Sequence, residues 1–320
     1  MSFAARLIAW QRAHGRHDLP WQGTRDPYRR WLSEVMLQQT QVATVIPYYR
    51  RFLARFPDVR SLARASQEEV LRLWSGLGYY ARGRNLHAAA RRIAAEGFPT
   101  SAAAIEALPG IGRSTAAAIA VFAFGERAAI LDGNVKRVLA RCFAIDNEAE
   151  LWRRAERLLP ANDIEAYTQG LMDLGAAVCK RSQPACQRCP VARHCEAHRR
   201  GWQARLPMKR ARQPAPRKSA TWLVLRHRDK VLVERRPESG IWGGLWCFPE
   251  AAGDVPGEAL PVLDHAFTHF RLRIRPRLRI VAAIRAPKKG ERWMTLRALE
   301  RAAVPAPVRT LIARLRAAAG

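Results

Sequence analysis

Apolar residues recur at helical spacing through roughly the first two hundred positions, and strict alternation appears only later, so the chain reads as a helical part followed by a mixed one. Residues 3–16 make an amphipathic helix ending near Gly15. After an extended stretch at 18–28, Asp26-Pro27 opens a second helix, with Pro27 suited to a first turn. The pattern carries this helix through Trp31 and on to Val42, with Leu32, Val35, Met36 and Gln39 on one face. Further helices are expected over 47–55, 67–74, 82–95, 101–107, 114–124, 134–143, 148–159 and 163–178. Thr221–Leu225 and Lys230–Glu234 read as paired strands, and 271–280 alternates strictly between arginine and apolar residues, with Pro276 interrupting the apolar side. Residues 295–318 are mostly helical, and 205–219 is a basic, Pro-rich linker. Two domains follow, one nearly all helix and one α+β.

The stretch 108–137 concentrates the chemistry. Leu108-Pro109-Gly110-Ile111-Gly112 reads as a tight turn between two helices, in which Gly110 and Gly112 can take positive φ and leave their N–H groups uncovered. Backbone N–H groups at a helix start bind anions without reading a base. Arg113 follows, then an apolar helix from Ser114 to Phe124. Ile130-Leu131-Asp132-Gly133-Asn134 then brings an acid to the start of another helix. Asp132 there is a natural N-cap and equally a poised carboxylate; the two roles are compatible.

Two other stretches bear on this one. Glu34 lies in a nearly uncharged segment, with no Lys or Arg between Arg30 and Arg50 and with Gln38 where a solvated helix would place a basic partner. Such a glutamate is either a surface residue or, in apolar company, a group with a raised pKa that holds a proton. Gly76-Leu77-Gly78-Tyr79-Tyr80-Ala81-Arg82-Gly83-Arg84 would suit a wedge pushed into stacked bases, or its tyrosines simply pack on helices.

Charge narrows the partner. Lys and Arg number 55 against 27 Asp and Glu, a net charge of +28, which points to a polyanion and first to nucleic acid. The longest apolar run, around 115–124, is far too short to span a bilayer, and the N-terminus lacks the charged-then-apolar order of a secretory signal. The expectation is a soluble, cytoplasmic bacterial protein associated with the nucleoid, with no membrane partner. The arginines at 271, 273, 275, 277 and 279 would suit phosphate contact, or form a solvated face that deters edge pairing. Four of six cysteines fall at Cys179-x6-Cys186-x2-Cys189-x5-Cys195, in a basic loop. Disulfides are not expected in a chain of this size without a signal. The spacing fits a four-iron cluster or a structural zinc, and the single C-x-x-C pair favours iron–sulfur.

Taken together, 31–40, 76–82, 108–137, the cysteine quartet and Trp242-Gly243-Gly244-Leu245-Trp246-Cys247-Phe248-Pro249 resemble the MutY-type adenine DNA glycosylases of the helix-hairpin-helix superfamily. The cysteine spacing is shared with endonuclease III-type lyases, whereas Glu34 in its motif and the second domain mark the MutY branch. The resemblance implies a mainly α helix-hairpin-helix glycosylase domain (1–204, hairpin about 108–127, iron–sulfur loop 179–195), the 205–219 linker, and a Nudix-like α+β domain (220–320). It implies removal of adenine opposite 8-oxoguanine or guanine in duplex DNA by a monomer carrying one 4Fe–4S cluster on Cys179, Cys186, Cys189 and Cys195.

The resemblance also assigns roles. Glu34 matches the acid that protonates the flipped base, and Asp132 the carboxylate beside the developing sugar cation, with Asn134 orienting water. Gln39 and Tyr79 match wedge positions, and Arg25 would touch the flipped nucleotide or its phosphate. Gly110, Gly112, Ser114 and Lys136 complete the DNA-facing set. Lyases of the superfamily carry a Schiff-base lysine where Ser114 stands, so a monofunctional enzyme is expected. Lys136, one helical turn from Asp132, leaves room for weak incidental lyase activity. Phe267-Thr268-His269 matches the family's Phe-Ser-His motif for 8-oxoguanine, with threonine replacing serine; His269 alone would read as an ordinary packed histidine. The Nudix hydrolase signature is missing between 240 and 265. The competing readings are an endonuclease III-like glycosylase/lyase and a non-catalytic iron–sulfur DNA-binding protein.

Overall fold

Several helices begin where a short polar side chain takes up the free N–H groups of a first turn. In the computed structural model, which describes residues 1–208, 214–253 and 255–318, Ser2 caps α1 (Phe3–His14) by accepting from Ala5. Asp26 caps α2 (Pro27–Leu37), with Pro27 at its first position. Helices α3 (Val42–Arg55) and α4 (Val59–Arg64) follow. Ser66 caps α5 (Gln67–Trp74), whose first turn carries Glu68 and Glu69 against the positive end of the dipole. Then come α6 (Tyr80–Glu96), α7 (Ala102–Glu106) capped by Ser101, α8 (Arg113–Phe124), α9 (Gly133–Phe143), α10 (Glu148–Arg157) capped by Asn147, and α11 (Ile164–Asp173).

The described residues divide into two units. One holds Met1–Ala63 with Ala88 onward to 208; the other holds Arg64–His87 together with the C-terminal residues from 214. In the first unit α8 is apolar all round and buried from Ala116 to Ala123, so it is the centre of the packing. Gly125, at φ +70°, ends it in a left-handed cap. A second cluster joins Leu7, Val121, Val138, Leu139, Leu151, Tyr167 and Leu171 from α1, α8, α9, α10 and α11. Truncating one of the fully buried leucines here, such as Leu139, costs about 2–5 kcal/mol.

Four sequence expectations change. Helix α2 stops at Leu37, and Gln39 takes a left-handed backbone at φ +57° before α3 starts at Val42. The polar run 38–41 gives the helix nothing to bury, so Gln39 is exposed and not on the α2 face. The helix expected over 163–178 is α-helical to Asp173 and then a π-turn, Leu174–Val178. Gly175 abuts Asn134 and gives its carbonyl to Arg137 Nη2 at 2.6 Å. Gly112 is the extended N-cap of α8 at φ −102°; of the two hairpin glycines only Gly110, at φ +77°, needs the left-handed region. Finally, part of the expected 205–219 linker is structured: Leu206 is buried, Met208 N–H donates to Asp146 at 2.7 Å, and strand β1 (Arg217–His227) begins before residue 219. Residues 209–213 of that linker lie outside the described residues.

The second unit is built on a mixed sheet. β1 pairs antiparallel with β2 (Lys230–Arg235), as the alternating runs predict. β3 (Trp246–Cys247) extends it beyond β2, and β4 (Glu250–Ala251) pairs with β1. β5 (Glu258–Ala259) and β6 (Leu263–Ala266) both pair with β7 (Arg271–Ile280), and β8 (Glu291–Thr295) pairs with β2. β1 and β7 run parallel over ten registered pairs. Helix α12 (Glu196–Arg199) belongs to the cysteine loop of the first unit, whereas α13 (Leu296–Glu300) and α14 (Ala306–Ala317) pack on the sheet.

Residues 64–87 are part of this second core. Leu71 is fully buried with Trp222, Phe248 and Leu311. Trp246 donates its indole N–H to Glu68 at 3.0 Å, Ser75 Oγ donates to the Val304 carbonyl at 2.9 Å, and Arg84 donates to the Gly243 carbonyl at 2.8 Å. Among the described residues no helix is long and apolar enough to cross a membrane.

Candidate active site

Helix α2 carries Glu34 and the start of α9 carries Asp132. Glu34 is partly buried, and its carboxyl is pushed up to about 7, first by burial and then by the charge of Asp132, with Arg30 pulling the other way. Asp132 caps α9: its Oδ1 accepts from the N–H groups of Asn134 at 2.9 Å and Val135 at 2.7 Å. Burial raises its pKa as well, opposed by those two hydrogen bonds and by Arg137. Two N–H donors and a helix N-terminus favour the charged form of Asp132, and no such donor bears on the raised pKa of Glu34.

Arg30 was not singled out from sequence, although it stands four residues before Glu34. It is buried, donates to the Thr24 carbonyl at 2.8 Å, and lies 4.9 Å over the Phe122 ring. The sequence signal is its i−4 spacing from Glu34. Arg30 also lines a cavity of about 860 Å³ with Gln22, Arg25, Phe122, Glu165 and Gln169. Glu34 and Asp132 are not in its wall; Arg30 is, and its charge also acts on Glu34. Arg25 ion-pairs with Glu165 at 2.6 Å on the rim of this cavity.

The hairpin residues sort into two groups. A Cβ at Gly112 would meet open space, so nothing inside the fold demands glycine; what it does is leave the α8 N–H groups uncovered to solvent. Gln38 Nε2 donates to the Gly110 carbonyl and to Thr115 Oγ1, both at 3.3 Å, and so ties the end of α2 to the hairpin. Ser114, expected to face DNA, instead accepts the Leu131 N–H at 2.9 Å and steadies the chain just before Asp132. Lys136 forms an ion pair with Glu148 at 2.6 Å. Asn134 accepts from Arg137 Nη2 at 2.9 Å through Oδ1, so its carbonyl is engaged by protein.

Cys179, Cys186, Cys189 and Cys195 line one cavity with Arg141, Cys142 and His198. Among the described residues no group of three or more His, Cys, Asp or Glu converges closely enough for one metal ion. Four thiols around a shared cavity suit a multi-atom cluster, in which each iron takes one thiolate. Arg141, fully enclosed, donates to the carbonyls of Leu206, Lys180 and Arg181 at 2.9, 2.7 and 3.1 Å, and lies 3.4 Å from the Cys179 sulfur. The sequence signal for this residue was its i+4 spacing from Arg137, which donates to the Cys179 carbonyl at 2.7 Å.

Comparison with known proteins decides the family. Residues 32–161 match the HhH-GPD superfamily of base excision DNA repair proteins and residues 220–314 match the NUDIX domain. An adenine DNA glycosylase of Buchnera aphidicola subsp. Baizongia pistaciae is 34% identical over 98% of this chain and 97% of its own length. The chain belongs to the adenine DNA glycosylases. The Homo sapiens adenine DNA glycosylase is 33% identical over 95% of this chain and 72% of its own. Among solved structures, a thermostable thymine-DNA glycosylase shares 29% identity with a TM-score of 0.58, over 62% of this chain and 95% of that one. An endonuclease III–DNA complex, at 21% identity and a TM-score of 0.54, shares the helical fold.

In this adenine DNA glycosylase the remaining predicted residues meet in the second unit. Gly76, Gly78 and Tyr79 all take positive φ (+101°, +75° and +47°), and Tyr79 is half exposed. A tyrosine in that region is a strained position, worth roughly 1–3 kcal/mol, and such strain gathers at functional turns. Its hydroxyl lies 3.2 Å from Thr268 Oγ1. Arg82 lies over the rings of both Tyr79 and Trp74. Phe267 stacks on Phe270 with ring centroids 4.4 Å apart and packs on Trp242, which fixes the loop between β6 and β7. Thr268 and His269 are exposed at its tip, so His269 is not a packed core histidine.

Proposed function

We propose that this adenine DNA glycosylase removes adenine opposite 8-oxoguanine or guanine, without strand cleavage, as a monomer acting on duplex DNA. The observation that carries the mechanism is the Glu34–Asp132 pair, one carboxyl pushed up to about 7 and the other accepting two backbone N–H groups at the start of α9. A base in duplex DNA is out of reach, so the nucleotide must be flipped. Glu34 then gives its proton to a purine-ring nitrogen, the N9–C1′ bond breaks, and the electron pair leaves with the base. The sugar is left with oxocarbenium character beside Asp132, which stabilises it and helps water add at C1′. Ser114 offers a hydroxyl, bonded to the Leu131 N–H, where a Schiff base needs an amine.

Tyr79 and Gln39, both exposed on left-handed backbone, suit the wedge that opens the stack. Thr268 and His269 suit the reader of the opposite base, and the Tyr79–Thr268 contact joins wedge and reader. Cys179, Cys186, Cys189 and Cys195 fit one 4Fe–4S cluster, which when bound supplies a covalent staple for the basic loop.

The experiment is single-turnover adenine release from duplexes with A opposite 8-oxoguanine, G or T, analysed with and without alkali. Fast release opposite 8-oxoguanine and strand breaks only after alkali are expected. Strand breaks without alkali would assign a lyase, and equal rates on all three duplexes would remove the 8-oxoguanine reading.

A further inference from the structure

The mechanism leaves the arginine row of β7 unused. Arg271, Arg273, Arg275 and Arg279 are exposed on one face of the strand, while Leu272 and Ile274 enter the core on the other. Edge protection does not explain the row. β7 pairs with β1 along all ten residues on one side and, at 271–274 and 277–278, with β6 and β5 on the other, so most of its length is not an open edge.

Register adds to the charge. Arg217 of β1 stands beside Arg271, Ser219 beside Arg273 and Thr221 beside Arg275. Arg217, Ser219, Arg271, Arg273 and Arg275 border an open groove of about 540 Å³, which holds one carboxylate, Asp264, 3.5 Å from Arg273. Arg217, Arg271, Arg275 and Arg279 have no acidic partner among the described residues. Alternate residues of a strand are ~6.6 Å apart, inside the screening length of ~8 Å at physiological salt, so the row repels itself. A polyanion relieves that repulsion. From Arg271 to Arg279 the row extends ~26 Å, which matches several consecutive phosphates of a strand rising ~3.4 Å per nucleotide. The open groove, its arginines and the hydroxyl of Ser219 suit phosphate oxygens.

We infer that the exposed face of β1 and β7 is a sequence-independent docking surface for the phosphate backbone of duplex DNA, separate from the residues that read the mispair. The inference rests on the reading of the chain as an enzyme of duplex DNA.

The test uses the full-length protein and an undamaged 30-base-pair duplex, whose binding needs no mispair and no catalysis. Arg217→Gln/Arg271→Gln/Arg275→Gln is compared with a charge-matched control on the same unit, Lys289→Gln/Arg297→Gln/Arg301→Gln, all exposed. Melting curves check that both are folded. Each backbone contact adds ~0.9 to the slope of log affinity against log salt, so the row variant should lose about 2–3 from that slope and about tenfold or more in affinity. The control should lose much less, and the saturated single-turnover rate of adenine release should be unchanged in both. A row variant that binds like the wild type, or no worse than the control, overturns the inference. So does a loss confined to phosphatidylserine vesicles, which would assign the face to a lipid surface. A wild type that binds duplex steeply with salt yet releases no adenine refutes the proposed function and leaves the docking result standing.

Discussion

Replacing Glu34 by glutamine tests the acid in two independent ways. The carboxyl titrates at about 7 in place of the usual 4.5, so ionising it in the folded protein costs on the order of 3 kcal/mol more than in the unfolded chain. The sign follows from linkage. Between pH 4.5 and 7 the folded protein keeps a proton that the unfolded chain has released, so stability falls as pH rises through that window and levels off above it. Glutamine has no charge to bury. Glu34→Gln should therefore be more stable than the wild type at pH 8, and its advantage should shrink by about 2 kcal/mol at pH 5.5. Activity moves the opposite way, with a loss of ~10²–10⁴ in single-turnover rate at pH 7 if proton delivery is the lost function. In the wild type that rate should fall about tenfold per unit once pH exceeds the Glu34 value. Urea unfolding of both proteins at the two pH values, with a rate profile from pH 5.5 to 9, measures all of this. A stability gain that is the same at both pH values, or a wild-type rate flat across neutrality, would refute the argument.

Three further outcomes follow. Asp132→Asn keeps an N-capping side chain, so α9 should lose no more than about 0.5 kcal/mol, while adenine release drops by two orders of magnitude or more and the Glu34 titration moves down for want of its negative neighbour; unfolding and single-turnover assays separate the two. Cys179→Ser should yield protein without the broad visible absorption and the roughly four irons per chain expected of the wild type, and with lower thermal stability; stoichiometric zinc in the wild type after anaerobic purification would contradict the cluster. Thr268→Ala removes one neutral hydrogen-bonding group, worth ~0.5–1.5 kcal/mol, so the preference for 8-oxoguanine over guanine should fall about tenfold or less.

Periodicity carried the helices because most begin at a cap and bury one stripe; Asp26, Ser66, Ser101 and Asn147 stand where the pattern put the starts. The raised pKa of Glu34 and the N-cap at Asp132 were legible for the same local reason, an uncharged helical stretch in one case and a capping sequence in the other. What sequence spacing did not give was set by distant partners. The bonds of Ser114 to Leu131 and of Lys136 to Glu148 join residues 17 and 12 positions apart, which spacing does not show. Gln39 leaves its helix because 38–41 has no apolar residue to bury, a tertiary decision that helical spacing alone misses. The arginine row could not be told from edge protection until both neighbours of β7 were known.

The segment Arg64–His87 has an implication for how such enzymes can be recombined. The HhH-GPD match runs straight through it, so by descent it is part of the helical domain, yet its side chains are buried in the other unit. An exchange of C-terminal domains cut at the linker would bring in a new surface for Leu71, a new acceptor at Val304 for Ser75, and a new indole for Glu68, while leaving those three residues behind. Tyr79 would inherit the mismatch. Substitutions in 64–87 should therefore be tolerated only alongside compensating ones near Trp246, Gly243 and Val304, and a working chimera has to carry all of Arg64–His87 with the domain it grips.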